Sequence, residues 1–370
     1  MVIFGLAPAQ HDDTEIVIHT SLRGIAALCV VVYHVGLGFP FLDIPFRTGF
    51  AGHSYLFVDL FFLLSGYIIC IKYRSWFSGG ISVSGYVRFM ALRFARIYPN
   101  FLLWVFIPFA VVGLAQGLWI GGLPPLADLL MSVALHILMM QSVLDAPVVW
   151  NTPLWSIPVE MVSYALFPLL TFVFFQSRTF ALICACIAFG IVIHLGWGQS
   201  IDVITGPVAI VRGLAGFTIG GVLALFSSTT HRLPDAVLSV LQASALLVSI
   251  TAVHSGYEVT SIAGFICLVW LTQENRGVLY LLLGRQAFHT AGIYSFSVYL
   301  AHTTLIFVIN LFYYKLVRAT EMTETDYWAT SALALVSSLI VGRFCYHHFE
   351  LPTQKAMRAR MVPRRETAKN

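Results

Sequence analysis

Long apolar stretches separated by short polar loops dominate the chain from about residue 20 to residue 347. A helix needs about 20 mainly apolar residues to cross the hydrocarbon core of a bilayer. Stretches of that kind lie at about 21–39, 55–71, 97–115, 157–175, 179–197, 207–226, 236–254, 258–272, 290–312 and 328–347. An eleventh segment, 126–144, carries Asp128, His136 and Gln141, so it could cross, lie at the surface or re-enter. The pattern predicts an all-α, polytopic membrane helix bundle. No fixed-period repeat or low-complexity linker divides it, so 1–370 is expected to be a single integral-membrane domain.

The basic residues orient this bundle. Loop 72–96 holds Lys72, Arg74, Arg88, Arg93 and Arg96 with no acid. The tail 353–370 holds Lys355, Arg358, Arg360, Arg364, Arg365 and Lys369 against Glu366. The positive-inside rule places both in the cytoplasm, which requires an even number of crossings between them. About ten transmembrane helices satisfy this if 126–144 does not traverse, and both termini are then cytoplasmic. Residues 11–19 (HDDTEIVIH) bring no basic region to the first apolar run. That helix is therefore expected to stay as an anchor and not to be cleaved as a signal peptide.

Composition narrows the class. Hydrophobic residues make up 58% of the chain and charged ones 10%, where a soluble domain has about a quarter charged. A net charge of +4 gives no reason to expect a nucleic-acid partner. The six cysteines all lie in apolar stretches and read as buried thiols. Cys184 and Cys186 point about 200° apart on a helix, so they cannot share a metal, and no metal site is expected.

Ionisable residues inside spans are costly and mark candidate sites. His34 in the first span, Asp59 in the second, Arg212 in the sixth and Glu160 at the start of the fourth are expected at one level, in the outer part of the bilayer. A histidine beside a carboxylate suits general-base work, with the acid orienting the ring. Arg23, Arg93 and Arg96 cluster at the opposite end, where arginine forks suit phosphate oxygens. Arg23 and His34 are about 16 Å apart along one helix. A long ligand with phosphates inside and a reactive tip outside would span that distance. A transporter or flippase with buried charges is the alternative.

Several segments are familiar as an ordered set. Ser21–His34 (SLRGIAALCVVVYH) resembles the opening motif of the membrane acyltransferase 3 family, in which an arginine and a histidine enclose ten residues. Phe57–Ile69, Arg93–Pro99 (RFARIYP), Leu154–Glu160 (LWSIPVE), Ser295–His302 (SFSVYLAH) and the pair Glu350 and Pro352 resemble its later motifs, in order, over about 20–352. The resemblance implies a membrane O-acyltransferase of carbohydrates. Such an enzyme takes an acyl group, commonly acetyl, from cytoplasmic acyl-CoA to a hydroxyl of a cell-envelope or secreted carbohydrate.

It implies His34 as catalytic base or acyl carrier, with Asp59 and Glu160 as further catalytic groups. Arg23, Arg93 and Arg96 would bind the coenzyme A end or hold the inner site, and Trp155, Ser156, Tyr299 and His302 the substrate; Arg212, singled out by its place in the sixth span, is a further candidate for binding substrate. Acyl-CoA (acetyl-CoA) would be a co-substrate, with no cofactor permanently bound. The expected location is the inner membrane, multi-pass, with the bilayer, a carbohydrate acceptor and a separate periplasmic partner as candidate partners. Trp150 and Trp155 could stack on sugar rings. Pro158 and Met161–Tyr164 (MVSY) depart from the family pattern, which leaves the acceptor open.

Overall fold

A computed structural model describes residues 15–38, 43–117, 122–198, 200–227, 230–317 and 323–361. Arg364, Arg365 and Lys369 of the expected basic tail, with His11–Thr14, Arg318 and Glu321, lie outside them. The described residues form helices and turns with no strand. In chain order the helices are α1 (Val17–Leu37), α2 (Phe57–Phe77), α3 (Val83–Ala115), α4 (Leu126–Ile137), α5 (Ser156–Leu169), α6 (Arg178–Leu195) and α7 (Gly206–Leu225). They continue as α8 (Asp235–His254), α9 (Glu258–Leu271), α10 (Gly277–Leu283), α11 (Gln286–Val317), α12 (Glu324–Cys345) and α13 (Leu351–Met361). Nine helices among the described residues are long and apolar enough to cross a membrane: α1, α2, α3, α5 with its extension to Phe174, α6, α7, α8, α11 and α12.

Two close helix crossings register the site. In lipid, helices gain little from apolar burial and pack best where small residues let their backbones approach. A Cβ on Gly292 of α11 would lie 1.9 Å from the Thr20 carbonyl oxygen of α1, and one on Gly24 would lie 2.6 Å from the Gly292 nitrogen. A Cβ on Gly66 of α2 would sit 1.9 Å from the Phe217 carbonyl oxygen of α7, and one on Gly220 equally close to that of Leu63. Any side chain there would push the helices apart.

The crossings also settle which segments traverse. Gly24 meets Gly292 and, further along both helices, His34 meets His302, so α1 and α11 run parallel. Asp59 meets Arg212 and Gly66 meets Phe217, so α2 and α7 are parallel too. Parallel α2 and α7 need an odd number of crossings between them, and α3, α5 and α6 supply it. Segment 126–144 therefore does not cross. Its helix α4 has 12 residues, about 18 Å of rise against the ~30 Å core, and the chain turns back after it through Met139 at φ 55°. Parallel α1 and α11 then require the 14-residue α9 to complete a crossing.

Candidate active site

His34 stands in the last turn of α1 and His302 in the middle of α11. His302 is fully buried, and its Nε2 lies 3.2 Å from His34 Nδ1. The surrounding acceptors place the protons. His302 Nδ1 lies 2.7 Å from the Tyr299 carbonyl and donates to it, which leaves its Nε2 as an acceptor. His34 Nδ1 faces both that nitrogen and the Val30 carbonyl at 2.9 Å, so Nδ1 carries the hydrogen. His34 Nε2 is left with the free lone pair, the form a general base requires.

Asp59 does not orient this ring, contrary to the expectation from the sequence. Its carboxylate is held by Arg212 in a two-pronged pair, Nε to Oδ1 at 3.0 Å and Nη2 to Oδ2 at 2.7 Å. The reason is geometric: the α2–α7 glycine crossing puts Asp59 on α7, and a buried guanidinium is the stronger partner. Arg212 Nη1 reaches Asp202 at 3.4 Å, and its guanidinium lies over the Trp155 ring. Both residues expected to bind substrate here are thus occupied: Arg212 by carboxylates, and Trp155 by Arg212 on its face. The link to His34 is a residue the sequence reading missed. Tyr33 donates to Asp202 Oδ2 at 3.2 Å, and its ring stands edge-on to His34 at 4.9 Å. Burial pushes the Asp202 carboxyl above its ordinary pKa, and Arg212 opposes that rise.

The chain before α5 enters the protein interior as irregular backbone, which membrane depth allows only inside protein. The buried Asn151 anchors it, donating 3.0 Å bonds to the carbonyls of Trp104 in α3 and Leu300 in α11 and accepting from Thr303 at 2.8 Å. Ser156 and Tyr299 then meet at 2.9 Å, and Tyr299 also donates to the Pro153 carbonyl at 2.9 Å. Because α5 begins this deep, Glu160 is carried away from the level of His34. Its carboxylate accepts from Ser65 at 2.7 Å and from Tyr164. The expected convergence of His34, Asp59, Glu160 and Arg212 is therefore split. Asp59 and Arg212 join His34 through Tyr33 and Asp202, while Glu160 belongs with the arginines.

At that end Arg96 pairs with Glu350, whose carboxylate also accepts from Asn100 at 3.0 Å and Ser297 at 2.5 Å. Glu350 is 1% exposed, so the closing motif serves to hold Arg96. Arg93 donates to the Tyr73 hydroxyl at 2.6 Å. Arg23 makes no hydrogen bond among the described residues, and its side chain lines a cavity. The cavity has two chambers. The lower is walled by Arg23, Arg93, Arg96, Ile97, Tyr164 and Phe296. The upper is walled by Arg23, Phe61, Phe62, Ser156, Ile157 and Tyr299. Arg23, Ser65, Glu160 and Phe296 line both, so the two adjoin. Together they extend from the arginine cluster to Tyr299, whose carbonyl accepts from His302.

A family model described as an acyltransferase domain, Acyl_transf_3, matches residues 20–347. The chain belongs to this acyltransferase family. It is 33% identical over 95 residues to "Protein 2 in picA locus" of Rhizobium radiobacter, covering 26% of this chain and 44% of that protein. It is 31% identical over 163 residues to "Acyltransferase MdmB" of Streptomyces mycarofaciens, covering 40% of this chain and 38% of that one. The chain thus spans less than half the length of the curated relatives it matches. No solved structure matches it. In this family member Arg93 and Arg96 line the lower chamber, and Tyr299, whose carbonyl accepts from His302, lines the upper.

Proposed function

We propose that this acyltransferase takes an acyl group from cytoplasmic acyl-CoA and transfers it to a hydroxyl of a cell-envelope or secreted carbohydrate. It would do so in the inner membrane, with both termini cytoplasmic. The observation that carries this reading is the pair of adjoining chambers from Arg93 and Arg96, past Arg23, to Tyr299 beside the His302–His34 pair. A coenzyme A molecule matches it in chemistry, with phosphates for the arginine forks and a long uncharged arm to thread inward. On this reading His34 Nε2 takes the proton of the acceptor hydroxyl while its oxygen attacks the thioester carbonyl. The acyl–oxygen bond forms, the acyl–sulfur bond breaks, and the thiol leaves with a proton. His302 supplies a fixed acceptor for His34 Nδ1–H, as the buried acid does in a catalytic triad.

The test is reconstitution of the purified protein with labelled acetyl-CoA and candidate glycans. Label should move to the glycan with wild type and fall by about 10²-fold or more with His34→Ala, the range for losing a general base. Glycan movement across the bilayer without acyl-CoA, and without label transfer, would indicate a transporter instead. Label trapped on His34 in the absence of acceptor would make the histidine a covalent carrier.

A further inference from the structure

The two chambers differ in what they can hold. The lower has Arg93 and Arg96; the upper shares Arg23, Ser65, Glu160 and Phe296 with it and is otherwise lined by Val58, Phe61, Phe62 and Ile157 and by the Ser156 and Tyr299 hydroxyls. Those hydroxyls already bond each other and the Pro153 carbonyl. The upper chamber's free volume is about 40 Å³, where one water needs ~10–15 Å³ on the same measure. That is room for about three non-hydrogen atoms, the size of an acetyl group beyond the sulfur. The walls are stiff. Phe62 is backed by α7, where a Cβ on Gly213 or Gly216 would meet its ring or its Cβ within 3.2 Å. Phe61 packs edge-on against Tyr299 at 5.7 Å. Phe296 lines both chambers and so stands at the throat between them.

We infer that the upper chamber selects the donor's acyl group by size, with Phe61, Phe62 and Phe296 setting its length. This rests on the reading of the protein as acyl-CoA-dependent. A donor entering with its acyl end first brings that end against Val58, Phe61, Phe62 and Ile157. A long chain would have to displace Phe61, and a packed core resists that.

Binding measurements on the purified protein in nanodiscs test this without knowledge of the acceptor. Free CoA and acetyl-, octanoyl- and succinyl-CoA would be titrated by calorimetry. Acetyl-CoA should bind at least as tightly as CoA, and octanoyl- and succinyl-CoA about tenfold or more weaker, as expected of a pocket that discriminates by size. Phe61→Ala should bring octanoyl- and succinyl-CoA to within about threefold of acetyl-CoA. Phe61→Leu is the milder variant if the alanine does not fold, and the wild-type series stands without either. Equal affinity for all three thioesters would overturn the size selection while leaving the acyl-CoA reading intact. Failure of every CoA compound to bind would overturn that reading and this inference with it.

Discussion

His302 Nε2 lies 3.2 Å from His34 Nδ1, from a helix 268 residues further along the chain. The contact assigns His302 a positioning role: it holds the His34 tautomer that leaves Nε2 free. His302→Ala should lower kcat by about 10²-fold, within the range for removing a group that supports a general base, with KM for acyl-CoA little changed. His302→Gln, which can still present an acceptor, should recover part of that loss. Steady-state transfer rates for the two variants decide it, and a matched loss in KM would point to donor binding instead.

Arg212 and Asp59 form a fully buried ion pair, so breaking one side leaves a charge in the bundle. Arg212→Leu or Asp59→Leu alone should cost about 3–5 kcal/mol. The double replacement by leucines should recover much of that loss, because it removes both charges together. Thermal unfolding of the three variants in detergent checks the order.

Arg23 faces the cavity without a hydrogen bond among the described residues. Arg23→Gln should therefore leave thermal stability nearly unchanged while weakening acyl-CoA binding by about tenfold, the value of one lost charge-assisted contact of ~1.4 kcal/mol. Calorimetric titration of acyl-CoA, run beside a melting curve, separates the two effects.

Glu350 holds Arg96, Asn100 and Ser297 together. Glu350→Ala should destabilise the fold by several kcal/mol, because it leaves partners unpaired, and should also loosen the donor end of the cavity. Glu350→Gln keeps the shape and should lose mainly the charge contact to Arg96. Melting temperature and acyl-CoA affinity, measured for both, distinguish a brace from a direct ligand. A direct ligand would show the affinity loss without the destabilisation.

Gly292 and Gly66 stand where helix backbones touch. Gly292→Val should separate α1 from α11 and abolish transfer even where the protein is still made, because the His34–His302 contact depends on that crossing. Wild-type activity in this variant would show that the crossing is not what registers the two histidines.

The sequence by itself determined the class and singled out most residues of the candidate site. Apolar run lengths near the bilayer thickness, and the skew of arginine and lysine between loops, are local properties that need no fold to be read. So are charged residues inside spans, which made His34, Asp59, Arg212 and Arg23 visible one by one. What tertiary structure decided is who touches whom. Asp59 was matched to His34 by depth alone, but depth leaves the angle around each helix free, and the α2–α7 glycine contact turned Asp59 toward Arg212. Glu160 moved because Asn151 draws the chain inward before α5, a displacement that hydropathy cannot record. Tyr33 carried no signal beyond its place beside His34. The partnership of His34 with His302 came only from two parallel helices meeting at Gly24 and Gly292.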